Sequence, residues 1–288
     1  MNLATLMKKR AEEGNPVRVA LIGAGKFGSM FLTQIPTTQG MHLVAVADLS
    51  VERARAALKN SGWPDERYRA NSYSDAAKNG TTFVTEDVMS LFSAAEVEVV
   101  VDATGHPEAG VSRVLAARDG GKHIVMVNVE ADAFAGPALA KRASAAGIVY
   151  SLGYGDQPAL TCELVDWART SGFKVVSAGK GTRYLPRFHH STPETWFDNF
   201  GLSREIAEMA GMNSRLQNSF VDGTKSAIEM AAISNATGLM PPSDGLLFPP
   251  CGAHDLSRIM IPKEAGGVLE GIVTLTRRSV QRSVIVVE

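Results

Sequence analysis

The sequence predicts an α/β protein in which an N-terminal, doubly wound parallel sheet is followed by an α+β domain. Between residues 17 and 152, apolar runs of strand length alternate with helical patterns, and a glycine-rich turn directly follows the first run. Parallel strands need crossover connections, usually helices, and strands buried on both faces read as continuous apolar runs. The chain has 288 residues, enough for two domains. We therefore expect domains at residues 1–155 and 156–288.

The elements of the first domain are predicted from hydrophobic periodicity. The expected strands are short runs of Val, Ile, Leu and Ala, at 17–22, 42–47, 97–101, 123–127 and 149–152. The expected helices carry apolar residues at helical spacing, at 27–35, 51–59, 108–118 and 137–146. Residues 70–85 are polar, so we expect an irregular segment with short elements there.

The second domain mixes helices, strands and long connections. A helix is predicted at 158–170, because Pro158 falls in its first turn and Gly172 lies just beyond its end. Residues 186–200 are rich in aromatic residues, histidine and proline, and we expect a functional loop there. The remaining elements are strands at 174–178, 268–276 and 283–287, a helix at 223–235 and a Pro/Gly-rich stretch at 238–252.

Composition argues against several classes of protein. The formal net charge of -1 leaves no basic field for nucleic acid or an anionic membrane. Residues 1–16 lack the apolar core and cleavage site of a secretion signal, and no run of about 18 apolar residues follows. The two cysteines, Cys162 and Cys251, lie far apart, which argues against a disulfide scaffold. We expect a cytoplasmic protein that binds neither nucleic acid nor membranes.

A glycine-rich motif, Gly23-Ala24-Gly25-Lys26-Phe27-Gly28, joins the first strand to the first helix. In a G-x-G-x-x-G motif the first glycine permits the tight turn and the second lets the backbone approach a pyrophosphate. The third lets the helix pack on the sheet. The helix N-terminus then presents free N–H groups to the phosphates. We therefore expect a Rossmann domain in which these six residues bind a dinucleotide.

Asp48 ends the second strand, where an acidic residue usually bonds the ribose hydroxyls of NAD. Ser50, Arg53 and Arg55 follow closely and offer groups that would instead accept the 2′-phosphate of NADP. The residues alone leave the choice between NAD and NADP open.

Two further strand ends are expected to line the same crevice, since ligands of doubly wound sheets bind at the carboxyl ends of the strands. Ala103, Thr104 and Gly105 follow the 97–101 strand, and Asn128 follows the next one. We expect all four residues to contact the cofactor. For the first three, an ordinary turn between strand and helix is the alternative.

Two carboxylates are candidates for catalysis or for binding a hard cation. Glu130 follows the 123–127 strand, where it would orient the substrate or bind a metal. Asp156 lies in a glycine-rich turn after the 149–152 strand, and its alternative role is a helix cap. Carboxylate oxygens suit Mg²⁺ or Mn²⁺. The residues leave open whether a divalent cation is needed.

Cations and hydroxyls are concentrated between residues 180 and 192, which suits an anionic substrate such as a phosphate ester. The predicted binding residues are Lys180, Thr182, Arg183, His189 and His190. A solvated basic loop is the alternative. The paired histidines lack the H-E-x-x-H spacing of zinc sites, so the sequence does not support zinc.

The segment before the 223–235 helix carries Asn218 and Asp222, and Lys225 lies on the first turn of that helix. A lysine placed there can donate a proton to a carbonyl that hydride transfer reduces. We expect Lys225 and Asp222 to be catalytic and Asn218 to bind substrate. The alternative makes Asp222 a helix cap and Lys225–Glu229 a surface pair worth only about 0.3 kcal/mol.

The order of these motifs resembles that of the homoserine-dehydrogenase-like NAD(P)-dependent oxidoreductases. GAGKFG, DATG, NVEAD, GDQP and a lysine-bearing helix follow one another over most of the chain. Within that superfamily, three longer stretches are similar to the deoxyxylulose phosphate reductoisomerase-like (DRL) enzymes of some bacteria. These stretches are VNVEADAFAGPALA, YSLGYGDQPAL and NSFVDGTKSAIEMAAISNATGL.

The resemblance to DRL enzymes implies NADPH-dependent conversion of 1-deoxy-D-xylulose 5-phosphate to 2-C-methyl-D-erythritol 4-phosphate, a step of isoprenoid synthesis. It also implies inhibition by fosmidomycin, a homodimer, and catalysis at Lys225 and Asp222. We favour NADPH over NAD on this ground, although Asp48 points the other way. These relatives usually continue into a further C-terminal region, whereas this chain ends with RRSVQRSVIVVE, so we expect a truncated form or an incomplete sequence.

Two other functions stay open. A homoserine- or aspartate-type dehydrogenase would need carboxylates facing the ammonium group of an amino acid and no phosphate clamp. The basic segment between residues 180 and 190 favours the phosphorylated sugar instead. A non-catalytic nucleotide-sensing protein would keep the Rossmann fold without turnover, because a fold does not fix a function.

Overall fold

The computed structural model of the chain describes residues 2–209, 212–270, 273–278 and 283–287. It divides into two compact units, Met1–Gly153 and Tyr154–Glu288. The sequence predicts this boundary after residue 155. Each unit has its own sheet and its own hydrophobic clusters.

The first unit contains a six-stranded sheet in the order β3-β2-β1-β4-β5-β6. All neighbouring strands run parallel. This is the doubly wound order in which the strand order reverses at β1 and β4. The predicted fold class is therefore confirmed. The strands are β1 Val17–Ile22, β2 Met41–Ala47, β3 Phe83–Thr85, β4 Val99–Asp102, β5 His123–Met126 and β6 Tyr150–Leu152.

Helices connect these strands, as parallel pairing requires. The structure also contains two short helices that the sequence did not predict. One lies before β1 and the other lies between β2 and β3. Serine side chains cap two of the helices: Ser50 accepts the N–H of Arg53, and Ser72 accepts the N–H of Asp75. The helices are α1 Leu3–Glu12, α2 Lys26–Gln34, α3 Val51–Asn60, α4 Tyr73–Asn79, α5 Pro107–Asp119 and α6 Val129–Ala145.

The start of α6 corrects the prediction of a helix at 137–146. Asn128 caps the helix, because its side-chain oxygen accepts the N–H of Ala131 at 3.2 Å. The helix therefore begins eight residues earlier than its apolar pattern suggests, and Pro137 lies inside it. A Cβ at Gly110 of α5 would collide with the Cβ of Ala131, so the two helices pack closely at this glycine.

The parallel sheet is buried on both faces. Ala20 and Ile22 of β1 belong to one hydrophobic cluster, whereas Val19 and Leu21 belong to another. Alternate residues of a strand point to opposite faces, so the two clusters cover the two sides of the sheet. This arrangement explains why the strands read as continuous apolar runs.

The end of β4 carries a buried ion pair. Both carboxylate oxygens of Asp102 accept from Nη1 of Arg113, at 3.0 and 3.1 Å. The backbone N–H and the hydroxyl of Thr104 donate to the same carboxylate at 3.0 and 2.7 Å. Asp102 is fully buried, and Arg113 on α5 is 12% exposed. These bonds fix the turn that follows β4.

The second unit is built around strand β7, which is buried at all eight positions. It pairs in parallel with β8 and antiparallel with β9. Val165 and Ala168 of α7 pack with Met230 and Ile233 of α11 in one of its hydrophobic clusters. The helices are α7 Gln157–Thr170, α8 Trp196–Phe200, α9 Arg204–Met209, α10 Ser214–Val221, α11 Thr224–Thr237 and α12 Leu256–Ile259, and the strands are β7 Val175–Thr182, β8 Val273–Arg278 and β9 Ser283–Val287.

Three predictions for this unit were wrong in their limits. The strand expected at 174–178 continues to Thr182, and the one expected at 268–276 begins at Val273. The stretch at 186–200, expected to be a loop, contains a short 3-10 turn and α8. Phe188 and Trp196 within it are almost fully buried, which explains the aromatic content that suggested a functional loop. Residues 271–272 and 279–282 lie outside the described part of the chain.

Within the described ranges, no helix combines the length and the apolar character needed to cross a bilayer.

Replacing Arg113 by Met should lower the free energy of unfolding by about 3–5 kcal/mol, because the carboxylate of Asp102 would stay buried without its cation. Urea unfolding of the purified variant measures this. Arg118→Met is the matched control on the same helix, since Arg118 pairs with Asp119 at a more exposed position. The control should cost less than about 1 kcal/mol. Equal losses in the two variants would contradict the role given to the buried pair.

A second buried carboxylate makes stability depend on pH. The hydroxyl of Tyr150 donates to Asp132 at 2.7 Å, linking β6 to α6. Burial raises the pKa of Asp132, and the hydrogen bond from Tyr150 offsets only part of that effect. The folded state therefore holds this proton more tightly than the unfolded chain does. Stability should fall as pH rises from the ordinary carboxyl range through the raised pKa of Asp132.

Asp132→Asn tests this dependence, because asparagine keeps an oxygen acceptor for Tyr150 and cannot ionise. The variant should lose less stability than the wild type between about pH 4 and about pH 8, as followed by urea unfolding. Asp119→Asn changes an exposed carboxylate and is the control. Parallel curves for wild type and Asp132→Asn would count against the prediction.

Candidate functional site

The glycine-rich turn after β1 is tightly packed at its two ends. Gly23 has φ +93°, and a Cβ there would lie 3.0 Å from the methyl group of Thr104. A Cβ at Gly28 would overlap the carbonyl oxygen of Gly23. The turn and the first part of α2 can therefore approach each other only with glycine at both positions, as the motif predicts.

Gly25 is different, because the protein's own packing does not require a glycine there. Its φ is -73°, which any residue adopts. No atom lies within 4 Å of the position that a Cβ would take. Gly25 also caps α2, and it has no side chain that could bond the N–H groups at the start of this helix. This open space fits the pyrophosphate of a dinucleotide, which needs a close approach to a helix N-terminus.

Asp48, at the end of β2, is buried and held by several groups. Its Oδ2 accepts the N–H of Ala24 in the glycine-rich turn at 2.8 Å, and its Oδ1 accepts the N–H of Ser50 at 3.2 Å. Arg53 forms an ion pair with Oδ1, and its own side chain is 58% exposed. The aspartate that suits NAD and an arginine that suits NADP thus meet in one ion pair. Arg55 instead donates to the carbonyl of Tyr68, away from Asp48.

The ends of β4 and β5 are brought together as predicted. The backbone carbonyl of Ala103 lies 3.2 Å from a Cβ built on Gly23, and Oε2 of Glu130 lies 4.0 Å from one built on Gly105. Ala103 therefore lies against the glycine-rich turn, and Glu130 lies beside Gly105. Their contacts with cofactor or substrate stay predictions.

Asn128 corrects the list of cofactor ligands. Its side chain is fully buried and donates to the carbonyl of His106 at 2.9 Å, while its oxygen caps α6. It holds the turn after β4 against the start of α6 and is a positioning residue. Arg113, which the sequence analysis missed, acts in the same way from α5, since it also donates to the hydroxyl of Thr104 at 2.6 Å.

The second unit contains a buried ion pair between Lys180 of β7 and Glu229 of α11. Both side chains are 3% exposed. Lys180 and Thr182 were predicted to bind substrate, with a solvated basic loop as the alternative. Both lie in the buried strand β7, so the solvated-loop alternative is wrong for these two residues. Glu229 pairs with the ammonium group of Lys180 and thereby supplies the opposite charge that a buried cation needs.

Glu229 faces charges from three elements. Burial raises the pKa of Glu229, and Lys180 beside it opposes that rise. Asp156 also raises the pKa of Glu229, whereas Lys225 lowers it. The structure therefore brings Asp156, Lys180 and Lys225 into one electrostatic group around a carboxylate that the sequence analysis treated only as half of a surface pair. Glu229 is buried, so that surface alternative was wrong.

The local roles of Asp156 and Asp222 are those of turn residues. Asp156 caps α7 by accepting the N–H of Gln157 at 2.9 Å. Asp222 accepts the N–H of Thr224 at 2.8 Å and the side-chain amide of Asn218 at 2.9 Å. The cap residue of α11 is Gly223, so Asp222 supports the first turn from one residue earlier. A catalytic role for Asp222 stays a prediction.

The remaining predicted substrate ligands are surface groups. Arg183 follows β7 and is exposed. His189 and His190 are also exposed, and their rings meet edge to face with centroids 5.6 Å apart. Among the residues that the structure describes, no three His, Cys, Asp or Glu side chains are grouped to hold a metal ion. The divalent cation therefore stays a prediction.

Substituting Gly25 by Ala should leave the fold intact and weaken dinucleotide binding by about tenfold or more, because the added methyl occupies space that only a ligand would use. Fluorescence titration with NADPH and NADH, with thermal unfolding of the same samples, measures both effects. Gly28→Ala should instead lower the melting temperature, since its methyl overlaps the carbonyl of Gly23. Unchanged affinity in Gly25→Ala would argue against a pyrophosphate at this turn.

Comparisons with known proteins agree with this division of the chain. Residues 23–152 match the model of the homoserine dehydrogenase NAD binding domain, and residues 155–287 match the model of the oxidoreductase DRL catalytic domain. No curated protein gives a significant match.

Two solved structures share the fold. Homoserine dehydrogenase from Thiobacillus denitrificans aligns with a TM-score of 0.53 and 19% identity, over 78% of this chain and 49% of that one. DOX-P reductoisomerase, solved in complex with NADPH, fosmidomycin and magnesium, aligns with a TM-score of 0.52 and 17% identity, over 78% of this chain and 59% of that one. The chain thus spans roughly half of each structure. Its nucleotide-binding unit matches the homoserine dehydrogenase NAD binding domain, and its second unit matches the oxidoreductase DRL catalytic domain.

Proposed function

We propose that the chain is a DRL-type reductoisomerase, which converts 1-deoxy-D-xylulose 5-phosphate to 2-C-methyl-D-erythritol 4-phosphate with NADPH. The match of residues 155–287 to the DRL catalytic domain is the observation that carries this proposal. The buried pair of Lys180 and Glu229 lies in that same stretch together with the half-buried Asp156 and Lys225, which gives it ionisable side chains suited to proton transfer.

The proposed reaction divides into a rearrangement and a reduction. The rearrangement breaks one carbon–carbon bond of the sugar and forms another, giving an aldehyde without net oxidation. NADPH, when bound, supplies the hydride that reduces the aldehyde carbon. The residues of the chain must then hold the phosphate, polarise the carbonyl and deliver a proton to its oxygen.

Lys225 is the residue that we assign to this proton. It lies on the first turn of α11, and the charge of Glu229 one turn later acts on it. Arg183, His189 and His190 are exposed cationic or polar groups and are assigned to the substrate phosphate. Lys180 is no longer assigned there, because Glu229 already pairs with it. Arg53, more than half exposed beside Asp48, is assigned to the 2′-phosphate of NADPH.

The assay that tests the proposal follows NADPH oxidation by the purified chain with 1-deoxy-D-xylulose 5-phosphate, with and without Mg²⁺ or Mn²⁺. Aspartate semialdehyde is the rival substrate, because residues 23–152 match a homoserine dehydrogenase domain. Turnover of the sugar phosphate that fosmidomycin inhibits supports the proposal. Turnover of the semialdehyde alone replaces it with a homoserine-type reaction, and cofactor binding without turnover favours a nucleotide sensor.

The proposal includes a homodimer in the cytoplasm, and sedimentation of the purified chain measures its mass.

Lys225→Met should lower kcat by about 100-fold or more and leave NADPH affinity unchanged, because a proton donor is lost and the nucleotide unit is untouched. Steady-state kinetics and NADPH titration separate these effects. Lys263→Met is the control, since Lys263 is an exposed lysine of the same unit paired with Glu270. If Lys225→Met keeps the wild-type kcat, Lys225 does not supply the proton.

A further inference from the structure

The buried pair of Lys180 and Glu229 is a costly feature of the second unit. Each side chain is 3% exposed, and the two join the central strand β7 to the helix α11. Removing two charges from water usually costs more than their attraction returns, and apolar residues of similar volume often stabilise such positions as well or better. Stability alone therefore gives a weak reason for this pair.

Its neighbours suggest a different reason. Glu229 follows Lys225 by four residues on α11, and residues at this spacing lie on the same face of a helix. Asp156, at the start of α7, contributes a second negative charge. The groups that face Glu229 are thus Lys180 from β7, Lys225 from its own helix and Asp156 from α7. Opposite charges alternate within this group, and only Lys225 is assigned to the reaction.

We infer that Glu229 is a positioning residue of the proposed reductoisomerase: held by Lys180 from β7, its carboxylate fixes the ammonium group of Lys225 one turn earlier on α11. This inference rests on the proposed function for its catalytic meaning. In geometric terms, Lys180 anchors Glu229 and Glu229 directs Lys225. Of these three residues, only Lys225 is assigned to contact the substrate.

The buried pair should also make kcat depend on pH. Burial raises the pKa of Glu229, with Lys180 and Lys225 lowering it and Asp156 raising it further. On the acid side Glu229 takes up a proton and its attraction for both lysines is lost. The acid limb of the kcat profile of the wild type should therefore follow Glu229.

Three variants separate a positioning role from a structural one. Glu229→Gln keeps an oxygen near Lys180 and removes the charge, whereas Glu229→Asp keeps the charge on a shorter side chain. The double variant Lys180→Met/Glu229→Leu replaces the pair by apolar residues and should fold with a melting temperature close to that of the wild type. Glu270→Gln is the matched control, because Glu270 forms an exposed ion pair with Lys263 in the same unit.

With 1-deoxy-D-xylulose 5-phosphate, Glu229→Gln and the folded double variant should lose about 100-fold in kcat with NADPH affinity unchanged. Glu229→Gln should also lose the acid limb, and Glu229→Asp should recover part of the rate. Glu270→Gln should behave as the wild type. A folded double variant with the kcat and pH profile of the wild type would overturn the inference.

A second readout does not depend on activity. Acylation of Lys225 by a lysine-specific reagent, mapped by mass spectrometry, should be several-fold faster in Glu229→Gln than in the wild type or Glu270→Gln, because the carboxylate of Glu229 no longer holds the amine of Lys225 away from the reagent. An unchanged rate would also overturn the inference. If the wild type leaves the sugar phosphate unconverted, the proposed function fails, and the labelling still decides whether Glu229 holds Lys225.

Discussion

The parallel direction of six strands is the constraint on which the nucleotide-binding unit depends. Since all carboxyl ends of a parallel sheet meet at one edge, residues far apart in the sequence come within hydrogen-bonding distance there. Asp48 at the end of β2 reaches the backbone of Ala24 after β1, and Asn128 after β5 reaches the turn after β4. Each turn is thereby held by its neighbour, and the glycine-rich turn receives its shape before any ligand arrives.

Both units bury a carboxylate beside a cation, but the two carboxylates have different neighbours. Asp102 in the first unit accepts hydrogen bonds from Arg113 and from both donors of Thr104. These hydrogen bonds to the carboxylate of Asp102 fix the turn that follows β4. Glu229 in the second unit is surrounded by charges, with Lys180, Lys225 and Asp156 all acting on it. A carboxylate in a hydrogen-bond network stabilises one geometry, whereas a carboxylate in a group of ionisable side chains can change its charge with its surroundings.

The sequence predicted the structure correctly wherever the deciding residues are close together in the chain. The run Val17–Ile22 followed by the glycine-rich motif predicts a strand, a turn and a helix, and the structure has all three. The start of α6 was missed because Asn128 caps a helix whose first residues resemble a strand end. Glu229 was misjudged because its partner Lys180 lies on another element, and helical spacing alone pointed to Lys225. Arg113 was missed for the same reason: pairing across elements leaves no local pattern.

The order of strands in the second sheet has a consequence for synthesis. β7 is buried along its whole length, and its two neighbours, Val273–Arg278 and Ser283–Val287, come about ninety or more residues later in the chain. While the ribosome makes the intervening helices, the backbone groups of β7 have neither partner strand. An unpaired strand is a template for association with other chains. The first unit meets no such delay, because its sheet is complete by Leu152. Nascent chains of this protein therefore pass through a stage in which a finished nucleotide-binding unit precedes an open, aggregation-prone strand, and chaperone contact is most needed at that stage.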